Sequence, residues 1–183
     1  MRKGKKPFLL MLAFMLGLAN FPSLAKVFYG KDEALKLAFG ENANVEMLSL
    51  FPSDEQSQQI EQLAKVKLDS KLISVYVGRK QDTIMGYAII DSHSVRSQTE
   101  TLLLVLDTQG RLKNVTTLAF NEPPEYQPPE RWYSQLLNRS LEQLSFDQDV
   151  QAIAGATLST RAALSSARKV EAIFQILLKP INN

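Results

Sequence analysis

The chain has 183 residues with no cysteine and a single histidine, and its 21 basic and 19 acidic side chains leave a formal charge of +2. The missing thiols rule out disulfides, and with one imidazole they argue against a zinc or iron–sulfur centre. The near-neutral balance lacks the electrostatic footprint of a nucleic-acid binder.

At the start, Arg2, Lys3, Lys5 and Lys6 precede an apolar run from Phe8 to Leu18, and Ser23-Leu24-Ala25 then offers small residues. This pattern predicts a secretory signal peptide cleaved after Ala25 and a periplasmic location, with an N-terminal membrane anchor as the alternative. No cysteine follows the run, so a lipoprotein anchor is excluded. Residues 26–183 are then expected to form one domain, with 17 of the 21 basic residues against all 19 acidic ones. A chain of that length buries about two-thirds of its unfolded surface in one core.

Ala34, Leu35, Ala38 and Phe39 fall at helical spacing within Lys31 to Phe39, and Gly40 is placed to end that helix. Ser53 is a good N-cap for a second helix, with Asp54 and Glu55 in its first turn and an apolar stripe of Ile60, Leu63, Ala64 and Leu68. That helix is expected to end near Asp69. Strands are expected over Leu72 to Val77 and Thr83 to Asp91, joined by the polar link Gly78 to Asp82. A second hairpin is expected from Thr101 to Asp107 and Arg111 to Phe120, turned at Asp107-Thr108-Gln109-Gly110.

The segment Asn121 to Glu130 contains four prolines, which forbid helix interior and central strand. Pro129 suits the start of a short helix through Arg131, Trp132, Leu136 and Leu137. A last helix from about Leu158 to Leu178 would bury Ala163, Ala167, Val170, Phe174 and Leu177, and Pro180 would end it. Arg168 and Lys169 read as part of its solvated face. Helices flank the strands without alternating with them. The class is therefore α+β: an antiparallel sheet of two consecutive hairpins packed with N-terminal helices and a long C-terminal helix.

The chemistry is expected where the last helix begins, in Ala154-Gly155-Ala156-Thr157-Leu158-Ser159-Thr160. Gly155 and Ala156 let another molecule approach the backbone, and the free amides of a helix start, with its dipole, favour an anion. Thr157, Ser159 and Thr160 add hydroxyls, and Arg161 adds a cation. Phosphate suits such a place, although by composition alone a plain capped helix fits it as well.

Gly155-Ala156-Thr157 followed by Leu158-Ser159-Thr160 resembles the flavinylation motif of the FMN-binding domain family, which includes the periplasmic flavin subunits of the Rnf complex and of the sodium-pumping NADH:quinone reductase. Ala119-Phe120-Asn121-Glu122-Pro123 is similar to a stretch of that family that lies against the flavin. Tyr126, Pro128 to Trp132 and Glu33 to Phe39 resemble its soluble single-domain branch. The resemblance implies FMN as cofactor, joined by its phosphate to Thr157 through an ester made by an FMN transferase. It implies an electron-transfer carrier rather than a stand-alone enzyme, with a membrane or periplasmic redox partner. The chain departs from the family in having Ala154 where Ser or Thr is usual, Gln151 where Asp is frequent, and Asn121 in place of a common histidine.

Other candidates for the flavin surroundings are Glu122, which could accept from a ring N–H, and Tyr126 and Trp132, which could stack on the ring or belong to the core. His93, in the expected loop Asp91-Ser92-His93-Ser94, is either a flavin neighbour or structural. A non-catalytic module that uses the same helix start for another anionic ligand or a partner protein is the alternative function.

Overall fold

The computed structural model describes residues 26–179, so the expected signal segment and Pro180 lie outside the described residues. Six strands pair into one antiparallel sheet: β1 (Lys26–Val27), β2 (Asn44–Leu50), β3 (Ile73–Lys80), β4 (Thr83–Ser94), β5 (Thr99–Leu106) and β6 (Leu112–Phe120). Their order across the sheet is β1-β6-β5-β4-β3-β2. Helices α1 (Lys31–Phe39), α2 (Asp54–Ala64), α3 (Glu130–Tyr133) and α4 (Thr157–Ile173) complete the α+β fold that the sequence predicts. No helix of the described residues is long and apolar enough to cross a membrane.

The strongest apolar run explains the layering. Leu102, Leu104 and Leu106 of β5 pack toward α2, α3 and α4 with Val75, Ile89, Leu112, Ala163 and Val170. Leu103 and Val105 point the other way, onto Ala34 and Phe39 of α1 and Leu118 of β6. A strand covered on both faces has no polar positions to alternate, which is why β5 reads as consecutive leucines. Each fully buried Leu contributes about 1.5–3 kcal/mol of transfer free energy, so β5 anchors both layers.

Both expected hairpins form, and the second turns as expected. The Gly110 amide donates to Asp107 O at 3.0 Å while the Asp107 carboxylate accepts the amides of Gln109 and Arg111, each at 2.9 Å. Gly110 has φ +82°, and a Cβ there would collide with Phe174. The first hairpin is tighter than expected, since its strands run to Lys80 and from Thr83 and leave only Gln81, at φ 54°, and Asp82 to turn. A third hairpin joins β4 to β5 through residues 95–98, because β4 extends past Asp91 to Ser94 and β5 begins at Thr99. His93 thus lies in a strand, not in the expected loop.

The edge strand β2, for which the sequence gives no expectation, pairs with β3 from Asn44 opposite Arg79 to Leu50 opposite Ile73. Only Val45, Leu48 and Leu50 are half-buried along it, so its polar and apolar residues do not alternate cleanly. Helix α2 starts as expected: Ser53 Oγ accepts the Gln56 amide at 3.1 Å and Gln56 Oε1 accepts the Ser53 amide at 2.9 Å. It ends at Ala64 rather than near Asp69, because Lys65 adopts the left-handed region at φ 57°. Glu61 then draws the chain back, accepting from the Leu68 amide at 3.0 Å and from Lys67 Nζ at 2.5 Å.

The short helix after the proline-rich segment is split into α3 and a single 3₁₀ turn at Ser134–Leu136. Trp132 there is core: it is buried, and its indole N–H donates to Gln151 O at 2.6 Å. Helix α4 buries Ala163, Ala167 and Val170 as expected, and continues as a wider π turn, Phe174–Leu178, that buries Phe174 and Leu177. Arg168 is not on a solvated face. Its guanidinium donates to the carbonyls of Leu63 and Ala64, at the end of α2, and of Leu141 and Leu144.

Candidate functional site

No side chain caps α4, so its first amides are left for another acceptor. Gly155 enters the helix at φ +89° with nothing within 4 Å of where a Cβ would stand. That conformation favours glycine and keeps the approach open. Thr157 is exposed, and its hydroxyl donates to Ile153 O at 3.1 Å. The same carbonyl also accepts the Ala156 amide at 3.1 Å, so it keeps a partner if the Thr157 proton is lost.

The three hydroxyls expected at this site separate by direction. Only that of Thr157 faces outward; Ser159 Oγ donates to Tyr126 O at 2.6 Å and Thr160 Oγ to Thr157 O at 3.0 Å, both from buried side chains. Ser159 therefore ties the helix start to the proline-rich segment. That segment forms a 3₁₀ turn, Pro124–Tyr126, and the Arg96 guanidinium lies over the Tyr126 ring, 4.6 Å from its centroid. Arg96, Tyr126, Gly155, Ala156, Thr157, Leu158 and Ser159 surround a pocket of about 160 Å³.

Glu122 acts one step behind this pocket. Its Oε1 accepts three amides at the tip of the β4–β5 hairpin, from Arg96 at 3.0 Å, Ser97 at 2.6 Å and Gln98 at 2.8 Å. Burial would raise the carboxyl pKa, but those three amides and the Arg96 charge hold it below the usual range. Glu122 thus fixes the tip that carries Arg96. Replacing Glu122 by Ala is expected to speed amide hydrogen exchange at residues 96–98 by at least about tenfold; unchanged exchange would show that the tip holds itself.

On the other side of Leu158, a cavity of about 600 Å³ opens between the loop after α2, the ends of β4 and β5, and one face of α4. Leu158, Arg161, Ala162, Ser165, Ser166 and Lys169 line it at helical spacing, opposite His93, Ser94 and Val95, with Val66, Lys67 and Asp69 at a third side. Leu158 borders both this cavity and the pocket at Thr157, and it is 44% exposed.

Buried charges form the cavity floor. Asp91 and His93, two residues apart on β4, face α4 together. His93 Nδ1 lies 3.3 Å from Asp91 Oδ2 and 3.1 Å from Ser166 Oγ, and Nε2 lies 3.1 Å from Glu100 Oε2. Ser166 Oγ donates to Asp91 Oδ2 at 2.5 Å, and Lys169 Nζ is 2.6 Å from Asp91 Oδ1. Behind His93, Glu100 is fully buried and accepts the Tyr133 hydroxyl at 3.2 Å, which is also 3.0 Å from Thr117 Oγ1. Lys169 is therefore a buried ion-pair partner and not part of a solvated face.

Burial by itself would lower the His93 pKa, but hydrogen bonds to Asp91 and Glu100, and their charges, push it up to about 9. Burial likewise opposes ionisation of Asp91, yet His93, Lys169 and Ser166 hold its carboxyl well below the usual range. Burial and the Glu100 charge push the Tyr133 phenol up. The row Ser166–His93–Glu100 looks like a hydrolytic triad, but its protonation is wrong for one. Ser166 gives its proton to Asp91, and an imidazolium at neutral pH has no lone pair with which to act as base. Both His93 nitrogens are engaged, so His93 serves the cavity as a fixed charge and not as a free donor.

Of the residues expected at the site, the structure gathers Gly155, Ala156, Thr157, Leu158, Ser159 and Tyr126 at one pocket and puts His93 in the neighbouring cavity, with Arg161. Thr160 and Glu122 lie behind the walls. Sequence reasoning misses Arg96, Asp91, Glu100 and Ser166. For Asp91 and His93 a signal is present, because alternate polar residues continue the inward face that Tyr87 and Ile89 begin on β4. No protein-family model, curated sequence or solved structure matches the chain.

Proposed function

We propose that the protein is an exported flavoprotein that carries FMN on Thr157 and passes electrons between membrane or periplasmic partners. One observation carries the reading: an exposed threonine hydroxyl stands at an uncapped helix start, bordered by arginines, beside a cavity large enough for a ring system. Cavities of roughly 300–1,000 Å³ suit ligands of this size.

The residues present fit the group. The first amides of α4, with Arg161 one turn on and Arg96 across the pocket, would hold the phosphate. Val66, Val95, Leu158 and Ala162 offer apolar wall to a planar ring, which the 160 Å³ pocket is too small to take. When bound, FMN supplies a ring that takes up one or two electrons. The chain supplies attachment, position and charge. Attachment would join Thr157 Oγ to the phosphorus of an activated flavin phosphate donor held by the FMN transferase; the donor's leaving group would depart with the electron pair of the broken P–O bond, and the proton that Thr157 gives up would balance the charge of that leaving group. An ester is of use to an exported protein because it replaces a binding equilibrium in a dilute exterior by a fixed, high effective concentration.

Protein exported from cells that contain the transferase is expected to fluoresce in a denaturing gel and to gain the mass of one FMN less water. Thr157→Ala should lose the in-gel signal completely while its melting temperature stays close to that of the parent, since Ile153 O keeps the Ala156 amide. An unmodified mass in the parent would refute the ester. Ala154 and Gln151, where the resembled family has other residues, make this the first measurement to perform. A chain that binds no flavin but retains phosphate would instead be a module for another anionic ligand.

A further inference from the structure

Of the polar groups at the cavity floor, His93, Ser166 and Lys169, the last has capacity left over. His93 has both nitrogens engaged and Ser166 gives its only proton to Asp91. The Lys169 side chain is 11% exposed, and its ammonium has three hydrogens to donate. Asp91 Oδ1 accepts one at 2.6 Å; Asp69 Oδ2 is 3.7 Å away, beyond hydrogen-bond reach. Among the described residues, no other acceptor takes the rest.

Its position matters as much as its capacity. Lys169 and Ser166 meet at the same carboxylate, so the ammonium sits near the level of Ser166, nine residues along α4 from Thr157 or about 14 Å at 1.5 Å per residue. Lys169 lines the cavity beside Ser166, and its ammonium stands at the end of it where Asp91 and Asp69 border a smaller adjoining pocket. The groups facing it are Asp91 and His93 of β4, Asp69 of the loop after α2, and Arg161 of α4, with Lys67 at the rim and Glu100 behind His93. With Arg161 turned to the phosphate, Asp91, Asp69 and Glu100 roughly balance His93 and Lys169 together with Lys67 at the rim. A nearly neutral, partly apolar cavity does not select a small free anion. It suits a largely neutral ring that presents one acceptor-bearing edge.

We propose that Lys169, through the donors that Asp91 leaves unused, holds the acceptor edge of the flavin ring in this cavity and favours the charge that the edge gains on reduction. The inference rests on the FMN reading above. Two electrons with one proton leave one negative charge on the ring, and a cation within hydrogen-bond distance lowers the free energy of that form more than that of the neutral one.

The test uses flavin-loaded protein titrated with dithionite as electron source and the solvent as proton source. Lys169→Gln keeps a donor but removes the charge, and is expected to weaken the preference for the reduced ring about tenfold, a fall of about 30 mV for a two-electron couple. Lys169→Arg should restore most of it. The parent protein gives an independent reading should Lys169→Gln fail to fold: with ¹⁵N-labelled lysine, the Lys169 Nζ resonance should move when the flavin is reduced. An unchanged potential in Lys169→Gln, or an unmoved resonance in the parent, overturns the inference while leaving FMN binding intact. A parent protein without flavin overturns both.

Discussion

Arg168→Ala is expected to lose about 3–4 kcal/mol of stability and to lower the melting temperature by roughly 10 °C. The guanidinium reaches Ala64 O at 2.8 Å, Leu63 O at 2.7 Å, Leu141 O at 2.5 Å and Leu144 O at 2.8 Å, so a single group on α4 ties down two other segments. Leu63 and Ala64 end α2, where the last carbonyls have no intrahelical donor and the dipole is negative. Hydrogen bonds to a charged donor are worth about 1.5–3 kcal/mol each, but four from one group do not add, and water will reach the outer carbonyls once the side chain is gone. Lysine should recover less than half of the loss, since its ammonium cannot span two pairs of carbonyls as a planar fork does. A melting temperature within about 3 °C of the parent, or full recovery by Arg168→Lys, would show that the carbonyls are content with water.

Arg168 also marks a limit of what the sequence discloses. Helix α4 is legible because its apolar residues recur at helical spacing, and the same periodicity assigns Arg168 and Lys169 to the outer face. Periodicity reports which side is polar, not what stands opposite it. Once α2 ends early at Lys65 and the loop after it folds against α4, that side is covered. The early ending depends on a lysine in the left-handed region, and lysine has no propensity that announces it.

The candidate site divides in the same way. Local chemistry is legible: Gly155 at positive φ, an uncapped helix start and an exposed Thr157 are properties of seven consecutive residues. Pairings across the fold are not. Glu122 reads as a loop carboxylate available to a ligand, but it reaches a hairpin tip 24 to 26 positions earlier. Ser166 lies 75 positions from Asp91, and only the packing of α4 on β4 joins them. The six-stranded sheet has the same character: its hairpins follow from turn residues and β-branched runs, whereas the edge strand β2 exists because β3 offers it a row of partners.

Stability is expected to be highest near pH 4 and to fall by about 5 kcal/mol by pH 9, because two buried groups move in the same direction. His93 has its pKa raised from 6.5 to about 9, so its stabilisation is complete below 6.5 and is lost as the pH rises through 9. Glu171 is buried near the end of α4; burial raises its carboxyl pKa from 4.5 to about 7, against the opposing pull of the Leu112 amide and of Arg111 and Arg168. Its Oε1 has no hydrogen-bond partner among the described residues. The unfolded chain releases the Glu171 proton from 4.5 upward while the fold retains it to about 7, so stability falls across that interval and the deficit persists above it. Each shift of about 2.5 pH units corresponds to about 3 kcal/mol at most, at roughly 1.4 kcal/mol per unit. On the acid side Asp91 acts in the opposite sense: its stabilisation is present above the unfolded value of 3.8 and is lost as the pH falls toward its depressed folded value. Two variants separate the alkaline contributions in chemical denaturation from pH 4 to pH 9. Glu171→Gln should gain about 2 kcal/mol at pH 8 and almost nothing at pH 4, removing the lower part of the decline. His93→Asn should be less stable than the parent at pH 6 and nearly flat from pH 7 to 9, since it leaves Asp91 and Glu100 without the cation that titrates there. Arg168→Ala should extend the Glu171 interval to higher pH, because it removes one of the two cations that favour the ionised carboxylate. A parent profile flat to within about 1 kcal/mol between pH 5 and 9 would mean that neither group is held as the packing around it implies.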